Sequence, residues 1–472
     1  MFFDTPIFVF FLTAVVLLYW RLGWAGQNKM LLVASCFFYG WWDWRFLLLM
    51  MTSATFDFLL AQKIADSENP KIRRSLLTFS LLLNFGFLGV FKYYNFFASS
   101  LLDGLTSLGV TSVSLPLLLI LLPPGISFYT FQEVAYIIDV YHGRLQPSRR
   151  FVDYSLFICL FPHLIAGPIQ RPSHLLPQVQ HPRVFDAEKF FGGLMLILTG
   201  LFRKTLIADN AANIANAAFD GRIGHSFGAT VIGVLAFALQ IYGDFSGYSD
   251  IARGSAQLLG FHFMVNFRQP YFASSLQDFW RRWHISLSTW LRDYLYIPLG
   301  GNRLGTVRTY GNLMATMLLG GLWHGANWTF VLWGGLHGCW LAIERFSIDR
   351  FSLSAKTAGP GARFNPLGWV VTMAIVGLSW LFFRAKDIHQ ATAMLADLRV
   401  LEWHPAFGPI LIYLAAIITA VLLVDLRLEL CDEEYPFEKS RSEFAIVCAM
   451  LLTVATIALG AMDINAFIYF QF

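Results

Sequence analysis

Charge is what this sequence has least of. Asp, Glu, Lys and Arg make up 14% of its 472 residues, against about 25% in a typical water-soluble domain. Hydrophobic residues make up 56%, and mean hydropathy is +0.56. That balance excludes an ordinary soluble enzyme, and the formal net charge of +4 is too small for a chain of this length to argue for nucleic-acid binding. The five cysteines, Cys36, Cys159, Cys339, Cys431 and Cys448, have no paired short spacing. They read as small hydrophobes rather than a disulfide framework or a zinc site, and no metal is expected. Iron–sulfur, haem-attachment, dinucleotide and phosphate-loop motifs are all missing. No internal repeat is visible, which counts against an inverted-repeat transporter. Finally, no Lys or Arg precedes the first apolar run, Ile7 to Tyr19; the first basic residue, Arg21, follows it. A cleaved signal peptide needs a basic leader, so this run is expected to stay as a first membrane span.

What the chain does have is apolar sequence, repeated along its whole length. Stretches near 6–22, 30–44, 46–62, 75–95, 113–122 with 126–141, 154–170, 190–205, 227–243, 311–323, 326–345, 367–384, 408–427 and 443–462 are candidates. They predict roughly ten to thirteen membrane segments, some short or re-entrant. The expected fold is an all-α polytopic membrane protein, with residues 1–472 forming one membrane-embedded domain in contact with lipid. Basic residues orient the first third. Arg21 with Lys29, then Lys63 to Arg74, then Arg144 to Arg150 fall in alternate connections, and Asp103 to Ser114 carries none. The positive-inside rule therefore puts the N-terminus outside.

Prolines interrupt two of the apolar stretches, at Leu121-Leu-Pro-Pro-Gly125 and at Phe161-Pro-His-Leu-Ile-Ala-Gly-Pro168. Each must kink or unwind, because proline lacks a backbone donor and clashes with the preceding turn. Irregular backbone at membrane depth needs protein or a watery cavity to satisfy it. His163, inside the second break, reads as a histidine hydrogen-bonded to carbonyls that the break frees. Farther on, Gln240 to Asp250 reads as the polar end of a span. There Asp244 and Asp250 either cap the helix that follows or line a polar mouth.

From Leu276 to Tyr294 a helical period places Leu276, Phe279, Trp280, Trp283, Leu287, Trp290, Leu291 and Tyr294 in one stripe, with Asp278, Arg281, Ser288 and Arg292 opposite. That predicts a single amphipathic helix at the membrane–water boundary. His284 falls at the edge of the apolar stripe rather than on the charged face. Gly320-Gly-Leu-Trp-His-Gly325 then sets His324 among glycines, where backbone or ligand can come close. A titratable side chain at membrane depth is a functional hypothesis by default. A neutral imidazole in low dielectric is the form a general base needs. A satisfied interior histidine is the competing reading. His337, thirteen residues on, shares a site with His324 only if the helix breaks, which Gly334-Gly335 permits.

These residues carry a resemblance. The sequence resembles the membrane-bound O-acyltransferase superfamily, and within it the bacterial branch of alginate O-acetyltransferase membrane subunits. The matching stretches are Pro124–Tyr129 with Tyr136–Tyr141, Phe161–Pro168, Asp244–Asp250, Phe279–Arg303, Trp323–Asn327 and the terminal Phe467–Phe472. They span essentially the whole chain, and the Phe279–Arg303 run is the most specific. One departure is Gly243, where an aromatic residue is expected.

The resemblance implies a ring of tilted helices around a central tunnel, with re-entrant and interfacial helices. It makes His324 the catalytic residue and His284 a second histidine near the tunnel. It also implies acetyl-CoA as the cytoplasmic acyl donor, with no permanently bound cofactor. Periplasmic serine-hydrolase-like partners, a polysaccharide acceptor and a place in the bacterial inner membrane follow with it. Asn327, Trp323 and Asp250 are candidate tunnel or donor-site residues. Arg281, Arg282 and Arg303 are candidates for the donor's phosphates, with anchoring at lipid headgroups as the alternative. Within the class, peptidoglycan, another exopolysaccharide or cellulose is an alternative acceptor, and D-alanine an alternative acyl group. Outside it stand a proton-coupled transporter and a membrane scaffold.

Overall fold

The structure, a computed structural model, describes residues 1, 3–165, 167–351, 365–436, 438–439, 442–461 and 467–468. Among these, all regular structure is helical. Six helices are long and apolar enough to cross a bilayer: Trp44–Asp66, Pro70–Ser107, Ala187–Phe219, Phe227–Leu258, Pro366–Arg384 and Phe407–Cys431. Shorter apolar helices lie at Pro6–Tyr19 and Glu443–Leu459. The protein is an all-α, multi-pass membrane protein. Several helices start on the same local signal, a polar side chain capping a helix whose first residue is proline. Thr5 before Pro6, Asn69 before Pro70 and Asn365 before Pro366 each accept a first-turn N–H. Proline at that position gives up only a donor the helix start leaves orphaned anyway.

Described residues divide into two compact units, 1–193 with 255–264, and 194–254 with 265–472. In the first, the Trp44–Asp66 helix packs on Pro70–Leu88, Ile126–Tyr141 and Phe151–Cys159, and rings of Phe8, Phe38 and Phe161 meet nearby. The expected segment 113–122 is not a helix. It has no regular structure and is largely exposed, and Asn95 grips its backbone, donating to the Leu118 carbonyl and accepting the Leu118 N–H, both at 2.9 Å. Prolines at 116, 123 and 124 explain why an apolar composition does not become a helix here. The second proline break behaves as expected: Phe151–Cys159 stops at Leu160, and one turn, Phe161–Leu164, follows. His163 does not bond to freed carbonyls. Its ring packs on Phe263, and neither ring nitrogen has a hydrogen-bond partner among the described residues.

In the second unit, Phe227–Leu258 is one uninterrupted helix, so the polar run Gln240–Asp250 neither ends a span nor caps a new helix. Its acids are held sideways by cations instead: Asp244 by Lys204 at 3.0 Å, and Asp250 by Arg203 at 2.6 Å and Arg253 at 3.6 Å. Gly243 now has a reason. A Cβ there would lie 3.0 Å from the Arg203 carbonyl oxygen, in the π-helical turn Arg203–Ala208, so an aromatic side chain has no room. Near the C-terminus, Phe467 stacks on Tyr248 at 4.3 Å and the Ile468 N–H donates to Asp244 at 2.6 Å. Ala166 and residues 469–472 of the motifs quoted above lie outside the described residues.

Candidate active site

The predicted single helix over 276–294 is two. Leu276–Arg282 and Ile285–Leu291 are separated by Trp283 and His284, and His284 has left-handed backbone, φ 44° and ψ 53°. Such a conformation is uncommon for a residue with a side chain and must be held by its surroundings. Here the coil at 266–268 holds it: Ile285 N–H donates to the Asn266 carbonyl and Arg268 N–H to the Arg282 carbonyl, both at 2.9 Å. The kink turns His284 inward, where it is fully buried. The apolar stripe itself survives, since Leu276, Phe279, Trp283, Leu287 and Trp290 are all buried.

Asn266 also fixes the imidazole. Its Oδ1 accepts from the Ser286 N–H at 3.2 Å and the Ser286 hydroxyl at 3.0 Å, and its Nδ2 donates to Ser249 at 3.2 Å. An oxygen that takes a backbone N–H is the acceptor, so His284 Nδ1, 3.2 Å away, must be the donor. Nε2 of the neutral ring therefore carries the lone pair. Neither flanking seven-residue helix is able to cross a bilayer, and burial holds the ring well below the usual histidine range, at about 3. His284 is thus a neutral imidazole of defined tautomer. Asn266 was not legible as a site residue, because it is a lone asparagine in coil and its bond to His284 spans 18 residues.

His324 is the last residue of the Thr306–His324 helix, and the partner helix Trp328–Phe351 returns after a three-residue break at 325–327. The break is there and not at Gly334-Gly335, which lies inside the second helix. Gly334 serves instead to bring the two backbones together: a Cβ on Gly334 would strike the Met317 carbonyl, and one on Gly321 the Phe330 carbonyl. His324 is buried and ringed by aromatics. Trp323 lies 5.1 Å away, Trp333 5.0 Å and Phe383 5.2 Å between ring centroids. The His284 ring is 6.3 Å off, and Trp323 touches both histidines, 5.8 Å from His284. Phe245 closes the far side of His284 at 4.6 Å. Two imidazoles that are 40 residues apart in sequence thus meet in one aromatic cluster. His337 is close by but engaged at both nitrogens, accepting from Trp280 Nε1–H at 3.2 Å and donating to Ser379 at 3.0 Å.

Other sequence candidates are placed differently. Asn327 caps the returning helix, accepting the Thr329 N–H and donating to the Lys386 carbonyl. Asp250 belongs to the ion-pair cluster with Arg203 and Arg253. Arg282 forms a two-pronged bond to Glu429, at 2.9 and 3.0 Å, and pairs with Asp278. Arg281 and Arg303 are exposed.

Comparison with known proteins identifies the family. The sequence profile of the membrane-bound O-acyltransferase family matches residues 148–383, which takes in both histidines. A protein named probable alginate O-acetylase in Pseudomonas putida is 44% identical over 398 residues, covering 84% of this chain and 79% of its own. The chain belongs to the membrane-bound O-acyltransferase family. It is an O-acyltransferase, and the membrane-bound O-acyltransferase relatives extend to other acceptors. The peptidoglycan O-acetyltransferase of Helicobacter pylori is 37% identical, covering 83% of this chain and 79% of its own. The teichoic acid D-alanyltransferase of Bacillus subtilis is 26% identical, with 56% and 69% covered.

Proposed function

We propose that this O-acyltransferase takes acetyl from cytoplasmic acetyl-CoA and passes it across the bacterial inner membrane, for O-acetylation of an exported, alginate-like polysaccharide. On this reading the whole chain works as one acyltransferase domain. The observation that carries it is the pairing of His284 with His324 inside the matched region, in a chain whose alginate-type relatives are 44% identical against 26% for the D-alanyl type. The peptidoglycan reading stands second, on the 37% identical relative.

His324 is the general base. It takes the proton of the acceptor hydroxyl as that oxygen attacks the thioester carbonyl. When the tetrahedral intermediate collapses, the departing CoA thiolate takes the proton back. His284 acts as an orienting acceptor. With Nδ1–H directed at Asn266, its Nε2 lone pair suits a donor hydroxyl or N–H better than a developing oxyanion. Trp323, lying against both rings, excludes water. Arg281 and Arg303 are left to meet the CoA phosphates, whereas Arg282 is engaged with Glu429. Asn327 and Asp250 support helices rather than chemistry. Beyond the membrane, serine-hydrolase-like partners receive the acetyl group.

The test is acetyl ester on the exported polymer in a His324→Ala strain with normal protein level. Unchanged acetylation removes His324 from the chemistry. Acetyl-CoA consumption by the purified protein separates acyl transfer from proton-coupled transport or a scaffold role.

A further inference from the structure

The first compact unit buries two carboxyl groups that the chemistry above does not use. Asp57 on Trp44–Asp66 and Glu133 on Ile126–Tyr141 are both fully buried, and neither has an ion-pair partner among the described residues. They are joined through Asn84 and Ser53. Two buried carboxylates with no ion-pair partner among the described residues are costly unless one carries a proton.

The hydrogen bonds say which one. Asn84 Nδ2 lies 2.8 Å from Asp57 Oδ2 and 3.1 Å from the Ser80 carbonyl oxygen. A carbonyl oxygen never donates, so the nitrogen assignment is forced and the Asn84 oxygen faces Ser53 Oγ, 3.1 Å away. Ser53 Oγ also lies 2.8 Å from Glu133 Oε2. A hydroxyl has one proton and two neighbouring oxygens here, and the amide oxygen has none to give. If Glu133 were ionised, either it or the Asn84 oxygen would be left without its donor. If Glu133 is an acid, its O–H donates to Ser53, Ser53 donates to Asn84, and Asn84 donates to Asp57. Ser80 completes the chain, its hydroxyl donating to Asp57 Oδ1 at 2.5 Å. The direction of every bond is then set, and all run toward Asp57.

A second observation marks this as a site rather than a packed pair. Glu133 Oε1 and the hydroxyls of Tyr129 and Tyr154 are buried without hydrogen-bond partners among the described residues. Tyr129 lies within electrostatic range of Glu133, and Tyr154 of both acids. Other titratable groups on the packed helices are engaged elsewhere: Tyr39 bonds to the Pro124 carbonyl, Tyr136 accepts the Ser148 N–H, Lys92 donates to the Ser127 hydroxyl, Arg73 donates to the Tyr141 carbonyl, Asp139 pairs with Arg144 and Asp66 with Arg149. Asp153 pairs with Arg150 and is hydrogen-bonded by Asn28.

We propose that Glu133 and Asp57 form an intramembrane proton-binding site, with the proton resident on Glu133 and the charge on Asp57. Infrared spectroscopy of the full chain in lipid nanodiscs tests this through the carbonyl band of a protonated carboxylic acid, measured at neutral pH in H2O and D2O. The wild type is expected to show that band. Glu133→Gln, whose amide can donate to Ser53 as the acid does, is expected to fold and to lose it. Asp57→Asn is expected to keep it. Absence of the band in the wild type overturns the proposal, as does its survival in Glu133→Gln or its loss only in Asp57→Asn. Sodium titration of the wild type at fixed pH is expected to leave the band unchanged. A band that sodium abolishes makes this a metal-cation site and overturns the proton assignment.

Discussion

Asn266 decides which nitrogen of His284 holds the proton. Its Oδ1 takes two bonds from Ser286, so the third, from His284 Nδ1 at 3.2 Å, has only one direction. Asn266→Ala removes a buried acceptor from three donors. It is expected to cost about 1–3 kcal/mol of stability for the groups left unpaired, and to lower acetyl transfer by freeing the His284 ring to turn. Asn266→Asp keeps the acceptor but places a negative charge beside the imidazole. That favours the protonated ring, so the acid limb of the pH–rate profile is expected to move to higher pH. An Asn266→Asp enzyme with the wild-type profile would show that His284 does not titrate in the rate-limiting step.

His324 and His337 are both buried histidines, yet they are expected to respond differently. His324→Ala removes the base and should lower transfer by about 10²–10⁴-fold while the protein accumulates normally. His337→Ala leaves Trp280 and Ser379 without their partner. It should lower the melting temperature and the yield, with activity per folded molecule close to wild type. Acetyl ester normalised to protein level separates the two.

Adjacent glycines provide a sharper contrast. An added methyl at Gly334 meets the Met317 backbone, which cannot step aside; at Gly335 it meets only Leu318 Cδ2, at 3.6 Å. Gly334→Ala is expected to destabilise the protein by about 1–3 kcal/mol, and Gly335→Ala to be nearly neutral. Thermal unfolding of the detergent-purified variants reads the difference.

The arginines divide in the same way. If Arg282 is structural, Arg282→Glu should reduce accumulation, and Arg282→Glu with Glu429→Arg should restore it, with KM for acetyl-CoA unchanged. Arg281→Ala and Arg303→Ala, which disturb no bond described above, are expected to raise that KM several-fold, more at low salt than at high. Steady-state kinetics at two ionic strengths distinguishes phosphate binding from headgroup anchoring.

Much of this was legible in the residues themselves. Low charge and recurring apolar runs specify a helical membrane protein, and the Gly-Leu-Trp-His-Gly run marks His324 as a candidate. A helical wheel assumes one continuous helix, however, so it could not show that Trp283 and His284 interrupt theirs. The stripe was right because both short helices keep the same face buried; the kink was hidden because it depends on Asn266, far away in sequence. Apolar content likewise overstated 113–122, where prolines and the Asn95 grip win. The reverse error hid Asp57 and Glu133. Isolated acids in two helices look like solvated positions until packing brings them to the same interior.

The contact between Gly321 and Gly334 has a mechanical meaning. Two helices whose backbones already touch have no compressible layer of side chains between them, so the Thr306–Phe351 hairpin resists being wedged open and carries His324 as a fixed anvil. If the acyl chain enters beside that histidine as proposed, the thickness it needs has to come from side-chain rings, with Trp333 and Phe383 those that lie against His324. On the proposed role of His324, the width of what the enzyme accepts is therefore expected to be set by rotamers rather than by helix motion.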